Sequence, residues 1–426
     1  MNQEQQNLAR GTEAASVVLD LEARETDWEI ATGHTLRGYW FNGQVPGPTI
    51  ETSIGDTVLF RLKNSLPEPT SIHWHGLRVP AAMDGTDAVR PGESFEYRFR
   101  LPDAGTFWYH PHVNEMEQLE RGLYGAIIVR GPGEPTLDGE RVLMLDDLRL
   151  NRRGRFARFG GLMERMRGRE GKTRLVNGRV EPEITIAAGQ IERWRLVNAA
   201  SARYVRLSIG GAPFRILGTD GGLLGAPITA TEMLLAPGDR ADLAVGPFGE
   251  GETLSIESLP YNRGAGGKRK AERFATLHVG TPASSRSNIP AILRPVDPLV
   301  VGPVEPNRIV RLGGRLSLRH GVEGLVNDEP HHQDEPVRVG ELQVWDVVNE
   351  TPADHPFHLH GFFFQVLKEN GVENETVSWE DTANVPAKGQ IRIAWLPDNR
   401  PGSWMYHCHI LEHHAAGMMA HFDVVA

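Results

Sequence analysis

Three blocks of this chain align without a gap: Gly55 to Gly76, Gly189 to Gly210 and Gly340 to Gly361. No other feature narrows the fold as much. In each block an Asn stands nine positions after the leading Gly (Asn64, Asn198, Asn349), and an aromatic falls at the same place between them (Phe60, Trp194, Trp345). Upstream, Phe41-Asn42-Gly43 matches Val176-Asn177-Gly178 and, more loosely, Val326-Asn327-Asp328. Copies spaced 134 and 151 residues apart are whole domains, since solenoid units are several times shorter. Thr57 to Leu62 and Ser94 to Arg100 alternate as half-buried strands do. Many such strands, punctuated by 47 Gly and 29 Pro, indicate an all-β chain of sandwiches. The expected domains are 14–135, 136–282 and 283–426; Thr281 to Pro306, with six prolines, reads as the linker into the third.

Composition excludes several classes. A formal charge of −10, with 45 basic residues scattered along the chain, leaves no footprint for binding nucleic acid. No run of 18 apolar residues exists, so no membrane span is expected. Met1 to Ala15 is polar and shows no apolar core of a secretory signal. The one cysteine, Cys408, excludes an intrachain disulfide and any CxxC motif.

The differences between copies carry the chemistry. One aligned column holds His73, Leu207 and His358; two residues on stand His75, Ile209 and His360. Further along, Gly105-Thr-Phe-Trp-Tyr-His110-Pro-His112 aligns with Gly402-Ser-Trp-Met-Tyr-His407-Cys-His409. The first and third domains thus each carry two His-x-His pairs, and the middle one carries none. On a strand, residues i and i+2 share a face about 6.6–6.8 Å apart. Eight imidazoles from two related domains indicate a multinuclear metal site between them.

The same parity turns Cys408 away from that cluster. His355, three residues before His358, is expected on the side of Cys408, with Pro356 bending the strand. Thr70 and Pro111 occupy the corresponding columns of the first domain, which therefore cannot repeat the arrangement. Beyond the cysteine stand His413 at +5 and Met418 at +10. Two imidazoles, a thiolate and a thioether are the ligand set of a blue-copper electron-transfer centre.

On His73-Trp-His75-Gly76, His110-Pro-His112, His355-Pro-Phe-His358-Leu-His360-Gly361 and His407-Cys-His409-Ile-Leu-Glu-His413 through Met418, the chain resembles the multicopper oxidases, specifically three-domain laccase-like enzymes. The resemblance runs from about Gly33 to Val425 and implies three Greek-key, cupredoxin-like domains in tandem. It implies four copper ions per chain: a type 1 ion at His355, Cys408, His413 and Met418, a type 2 ion at His73 and His358, and a type 3 pair. Of that pair, one ion takes His75, His110 and His409 and the other His112, His360 and His407. It further implies single-electron oxidation of a small phenol or aromatic amine, coupled through Cys408 to reduction of dioxygen. A periplasmic or secreted monomer is the expectation from the same resemblance.

Two acidic positions carry separate expectations. Asp84, nine residues after His75, reads equally as a proton-delivering acid beside the cluster, as in similar enzymes, and as a turn residue before Gly85. His414 stands where similar enzymes often have Glu, leaving Glu412 either as a substitute or as an exposed neighbour. Single histidines His34, His278, His320 and His421 read as satisfied polar residues, and His331-His332 as a solvated loop. The Arg-rich stretch Arg149 to Arg174 reads as a solvated, mobile loop, and its Met163 and Met166 as a poor metal-ion docking segment. Phe362 to Phe364 and Trp404 read as core. Alternatives to the laccase-like reading are a Cu(I) or Fe(II) oxidase and a copper-free cupredoxin-fold binding protein, though no ligand is missing. A structural zinc site would use only four of these ligands, and a copper nitrite reductase would not need eight clustered histidines.

Overall fold

The computed structural model describes residues 15–264, 270–317 and 321–426, so His320 lies outside the described residues. The repeat is visible as topology. The strands ending at the repeated Asn, Thr57–Asn64, Glu192–Asn198 and Gln343–Asn349, each lie between one parallel and one antiparallel neighbour. Each belongs to one sheet of a two-sheet sandwich, and among the described residues the three largest apolar clusters lie one in each sandwich. The repeated aromatics Phe60, Trp194 and Trp345 are wholly buried, one in each core.

The repeated Asn residues have a structural task. Each amide oxygen accepts the backbone N–H two residues on, from Leu66, Ala200 and Thr351. Each amide nitrogen donates across to a second segment, at Val89, Leu235 and Val385. Each buried Asn side chain is satisfied by backbone partners, three for Asn64 and Asn198 and four for Asn349. The upstream Asn-Gly motif is a turn: Asn42, Asn177 and Asn327 all have positive φ, as do Gly43, Gly178 and Asp328 after them.

One expectation from the gapless alignment needs correcting. Trp74, Phe357 and Leu359 point into their cores, so His73, His75 and His358 point out of theirs. In the middle sandwich, Leu207 and Ile209 themselves enter the core. The cause lies in the preceding loop. Asn64 and Asn349 also bond a carbonyl four residues on, at Glu68 and Ala353, whereas Asn198 reaches one five residues on, at Arg203. One extra loop residue slips the strand by one and exchanges its faces. Arg206 and Ser208 then hold the outward positions, and the middle sandwich still presents no imidazole there.

Candidate metal centre

Strands His73–His75 and Gly105–His110 pair antiparallel, with His73 opposite His110. Strands His355–Leu359 and Gly402–Cys408 pair antiparallel, with His358 opposite His407. The two terminal sandwiches therefore build the same device in the same register, and the two outward faces meet. His75 stacks on His358 with centroids 3.9 Å apart, and His73 on His360 at 4.0 Å. All eight imidazoles are buried.

Six of the rings hold one nitrogen in an outer hydrogen bond, which turns the other inward. The Nδ1–H groups of His73, His110, His358 and His407 donate to the carbonyls of Asp84, Pro111, Asp381 and Cys408 at 2.9–3.0 Å. The Nε2 atoms of His73, His112 and His358 and both nitrogens of His409 have no hydrogen-bond partner among the described residues. His75 Nδ1 stands 3.4 Å from His110 Nε2, and His360 Nε2 3.0 Å from His407 Nε2. Burial first, and neighbouring imidazoles second, hold His75, His112, His360 and His407 well below the usual histidine range. Buried, neutral imidazoles with inward lone pairs and outward N–H bonds are what a metal cluster requires of its ligands. Five orphaned buried nitrogens would otherwise be a plain cost.

Two aspartates brace this shell in parallel fashion. Asp84 holds His73 with its carbonyl and His360 Nδ1 with Oδ2 at 2.7 Å. Asp381 holds His358 with its carbonyl and His75 Nε2 with Oδ1 at 3.1 Å. Each aspartate thus supports one ring from its own sandwich and one from the other. Asp84 is therefore more than a turn residue: its side chain is buried against ligand candidates, and its Oδ1, though 3.3 Å from His73 Nδ1, makes no hydrogen bond. Asp381 differs in being ion-paired to Arg240. Burial alone would raise it, and Arg240 more than reverses that, holding the carboxyl below the usual range.

Behind the cluster, Cys408 pairs opposite Phe357 and faces the other way, as parity requires. His355 Nδ1 lies 3.3 Å and His413 Nδ1 3.7 Å from its sulfur, and the two nitrogens are 3.1 Å apart. Thr351 Oγ1 bonds the outer nitrogen of His355 at 2.7 Å, which fixes the ring. Met418 lines the same cavity of about 300 Å³ as His355 and His413. Burial pushes the Cys408 thiol up to about 12, so the thiolate requires a bound cation. Burial likewise lowers His355 to about 3.

The Arg-rich stretch is solvated only in part: Arg152, Arg153, Arg155, Arg158 and Arg167 are exposed, but the rest is anchored. It contains the helix Leu162–Arg167, and Arg169 is buried, ion-paired to Glu120 and Glu164. An unpaired charge could not be buried there, so the acids fix the segment's path. This path brings Arg165 and Met166 to the wall of the cavity beside His413. Glu412 is not exposed: it is buried, accepts the Arg169 N–H, and is raised to about 8 by burial. His414 stacks on His407 at 4.3 Å and bonds Glu115, a buried acid from the first sandwich. His34 is satisfied by the Gly154 carbonyl at 3.0 Å, His278 touches Thr253 and His332 lies beside Glu329, while His331 is exposed and His421 half-buried. Phe362, Phe364 and Trp404 are core.

Asp381, Arg240 and Glu115 carry no signal in the sequence. Asp381 follows His360 by 21 residues and Arg240 lies in another sandwich, so neither falls within a strand periodicity that includes a histidine.

A cupredoxin-like fold that closes on eight inward imidazoles and one Cys-His-His set defines a class of copper-binding oxidoreductases. Comparison with known proteins gives the family. Three family models, each described as multicopper oxidase, match residues 22–134, 103–247 and 314–426. A solved multicopper oxidase from Campylobacter jejuni, described as a metallo-oxidase, is 32% identical with TM-score 0.86, covering 96% of this chain and 91% of that one. The multicopper oxidase MmcO of Mycobacterium tuberculosis is 29% identical over 90% of this chain and 82% of its own length. A laccase of Bacillus subtilis is 27% identical over 91% and 90%. The chain belongs to the multicopper oxidases.

Proposed function

We propose that this protein is a laccase-like oxidase that takes single electrons from phenols or aromatic amines and delivers them to dioxygen. The observation that carries it is the set of orphaned, inward nitrogens backed by the Cys408 group. His355, Cys408, His413 and Met418 would hold a type 1 copper, and His73 with His358 a type 2 copper. His75, His110 and His409 would hold one type 3 ion, and His112, His360 and His407 the other. When bound, the four ions supply one-electron oxidation at the first site and four-electron reduction of O2 to water at the other three.

The protein's own contributions follow from the geometry. His407 and His409 flank Cys408, so a covalent path through adjacent residues joins the two sites. The outer hydrogen bonds orient the rings of His73, His75, His110, His358, His360 and His407 before any ion arrives. Asp84 orients His360 through Oδ2, and its Oδ1 faces the cluster's rings without a hydrogen bond of its own. Met418, Met166, Leu316 and Val322 give the cavity beside His413 apolar walls, and its volume suits a single aromatic ring.

A second reading, oxidation of Cu(I) or Fe(II), has Met166 on that cavity wall and the Campylobacter metallo-oxidase in its favour. Copper analysis with a visible spectrum tests the metal set. A colourless protein lacking copper after reconstitution would overturn the proposal. Steady-state comparison of a dimethoxyphenol with Cu(I) then decides between the two reductants: kcat/KM favouring Cu(I) would replace the first reading with the second.

A further inference from the structure

The middle sandwich supplies no imidazole to the cluster, yet it reaches the cluster through one fully buried side chain. Arg240 Nη1 donates to Asp381 Oδ1 at 2.8 Å, and its Nη2 bonds Asp381 Oδ2. The guanidinium also donates from Nε to the Thr106 carbonyl at 3.2 Å, on the strand that carries His110. Arg240 is thereby bonded to all three sandwiches. Asp220, also from the middle sandwich, accepts the Arg240 N–H at 2.8 Å and the Thr382 N–H at 3.1 Å. Thr382 Oγ1 in turn donates to Asp381 Oδ1 at 2.9 Å. Every hydrogen bond around Asp381 therefore fixes either its carboxylate or its backbone.

The neighbouring glycines are shaped to this arrangement. A Cβ on Gly76, directly after His75, would run into Arg240 Nη2 and come within 2.7 Å of Asp381 Oδ2. A Cβ on Gly238, two residues before Arg240, would lie 3.1 Å from His409 and 3.2 Å from His75. Both glycines also have positive φ. The equivalent brace in the first sandwich, Asp84, has no Lys or Arg partner among the described residues. The two aspartates are thus matched in what they hold and unmatched in what holds them.

We propose that Arg240 is a positioning residue for the copper cluster: by a two-point grip on Asp381 it fixes His75 and His358 relative to one another. The inference rests on the ligand reading above, in which His75 serves a type 3 ion and His358 the type 2 ion. A planar fork meeting a carboxylate at two points sets direction as well as charge, which an ammonium group cannot do. Replacing a partner one step removed from the metal typically costs about 10–100-fold in metal affinity.

The test uses full-length, copper-loaded protein with Arg240→Lys and Asp381→Asn, since Arg240→Ala would leave two carboxylates buried and unpaired. Arg195→Lys is the control for a loosened interface: Arg195 is equally buried and donates to Thr106 of the first sandwich, but its carboxylate partners are Glu134, Glu140 and Asp242 rather than Asp381. Copper per chain, blue absorbance and the rate of copper loss to excess EDTA are measured for each, with the thermal midpoint alongside. Arg240→Lys and Asp381→Asn should keep the blue band and release copper from the other three positions about 10–100-fold faster than wild type. Arg195→Lys should release it at the wild-type rate. Release by Arg240→Lys at the wild-type rate, with only the thermal midpoint lowered, would reduce Arg240 to an ion pair between sandwiches and overturn the inference. Equal acceleration in Arg195→Lys would overturn it too. Wild-type protein that holds the blue copper alone would instead overturn the ligand reading beneath it.

Discussion

The first and third sandwiches carry the same pair of histidine strands in the same register, with one bracing aspartate each, yet only the third also holds a Cys-His-His group. The difference sits in two columns. Where the third sandwich has His355 and Cys408, the first has Thr70 and Pro111. Thr70 Oγ1 donates to the buried Gln118 at 2.7 Å, so its place is filled by a closed polar contact. Because successive strand residues face opposite ways, a strand can serve the shared cluster with one face and a private site with the other. The third sandwich uses both faces; the first uses one.

Removing the private site should give the largest effect. Cys408→Ser should abolish the blue colour and turnover with any reductant, while copper analysis still finds the other three ions. A variant that stays blue would mean the second face is not the electron-entry site. Next comes the freer brace. Asp84→Asn should slow reoxidation by O2 about a hundredfold, as loss of a positioned proton donor does. Anaerobic stopped flow should show the blue band bleaching at the wild-type rate; wild-type rates in both half-reactions would leave Asp84 a brace for His73 and His360 and not a proton donor.

A third test treats both halves together in the copper-free protein. Burial keeps His75, His110, His112, His360, His407 and His409 neutral when folded, below the ordinary value of 6.5. Below pH 6.5 the unfolded chain therefore binds more protons, and stability falls as pH falls, by up to about 1.4 kcal/mol per pH unit for each such ring. The thermal midpoint of copper-stripped protein should drop steadily from pH 7 to pH 5, and copper should suppress the drop; a flat profile would mean the rings are solvated. The smallest effect belongs to Met418→Leu. It should keep the blue colour and raise the reduction potential, since the axial ligand tunes it. Redox titration giving an unchanged potential would remove Met418 from the site.

The sequence by itself determined the threefold repeat, the two histidine-bearing domains and the opposite facing of Cys408. All of these rest on strand alternation and spacing, which are local and survive without tertiary coordinates. The same reasoning misplaced the middle strand, because a single extra loop residue after Asn198 exchanges its faces without altering the count from the leading Gly. It also left Arg169 in a solvated loop, because only the fold shows Glu120 and Glu164 converging on it. Tertiary structure alone decided that Asp84 and Asp381 each brace one ring from either half. It also decided that Arg240 secures only one of them and that Glu115 reaches His414. The contacts between sandwiches among these join residues from 141 to 306 positions apart. Side chains that far apart meet only when whole sandwiches dock, and no periodicity along the chain encodes the docking.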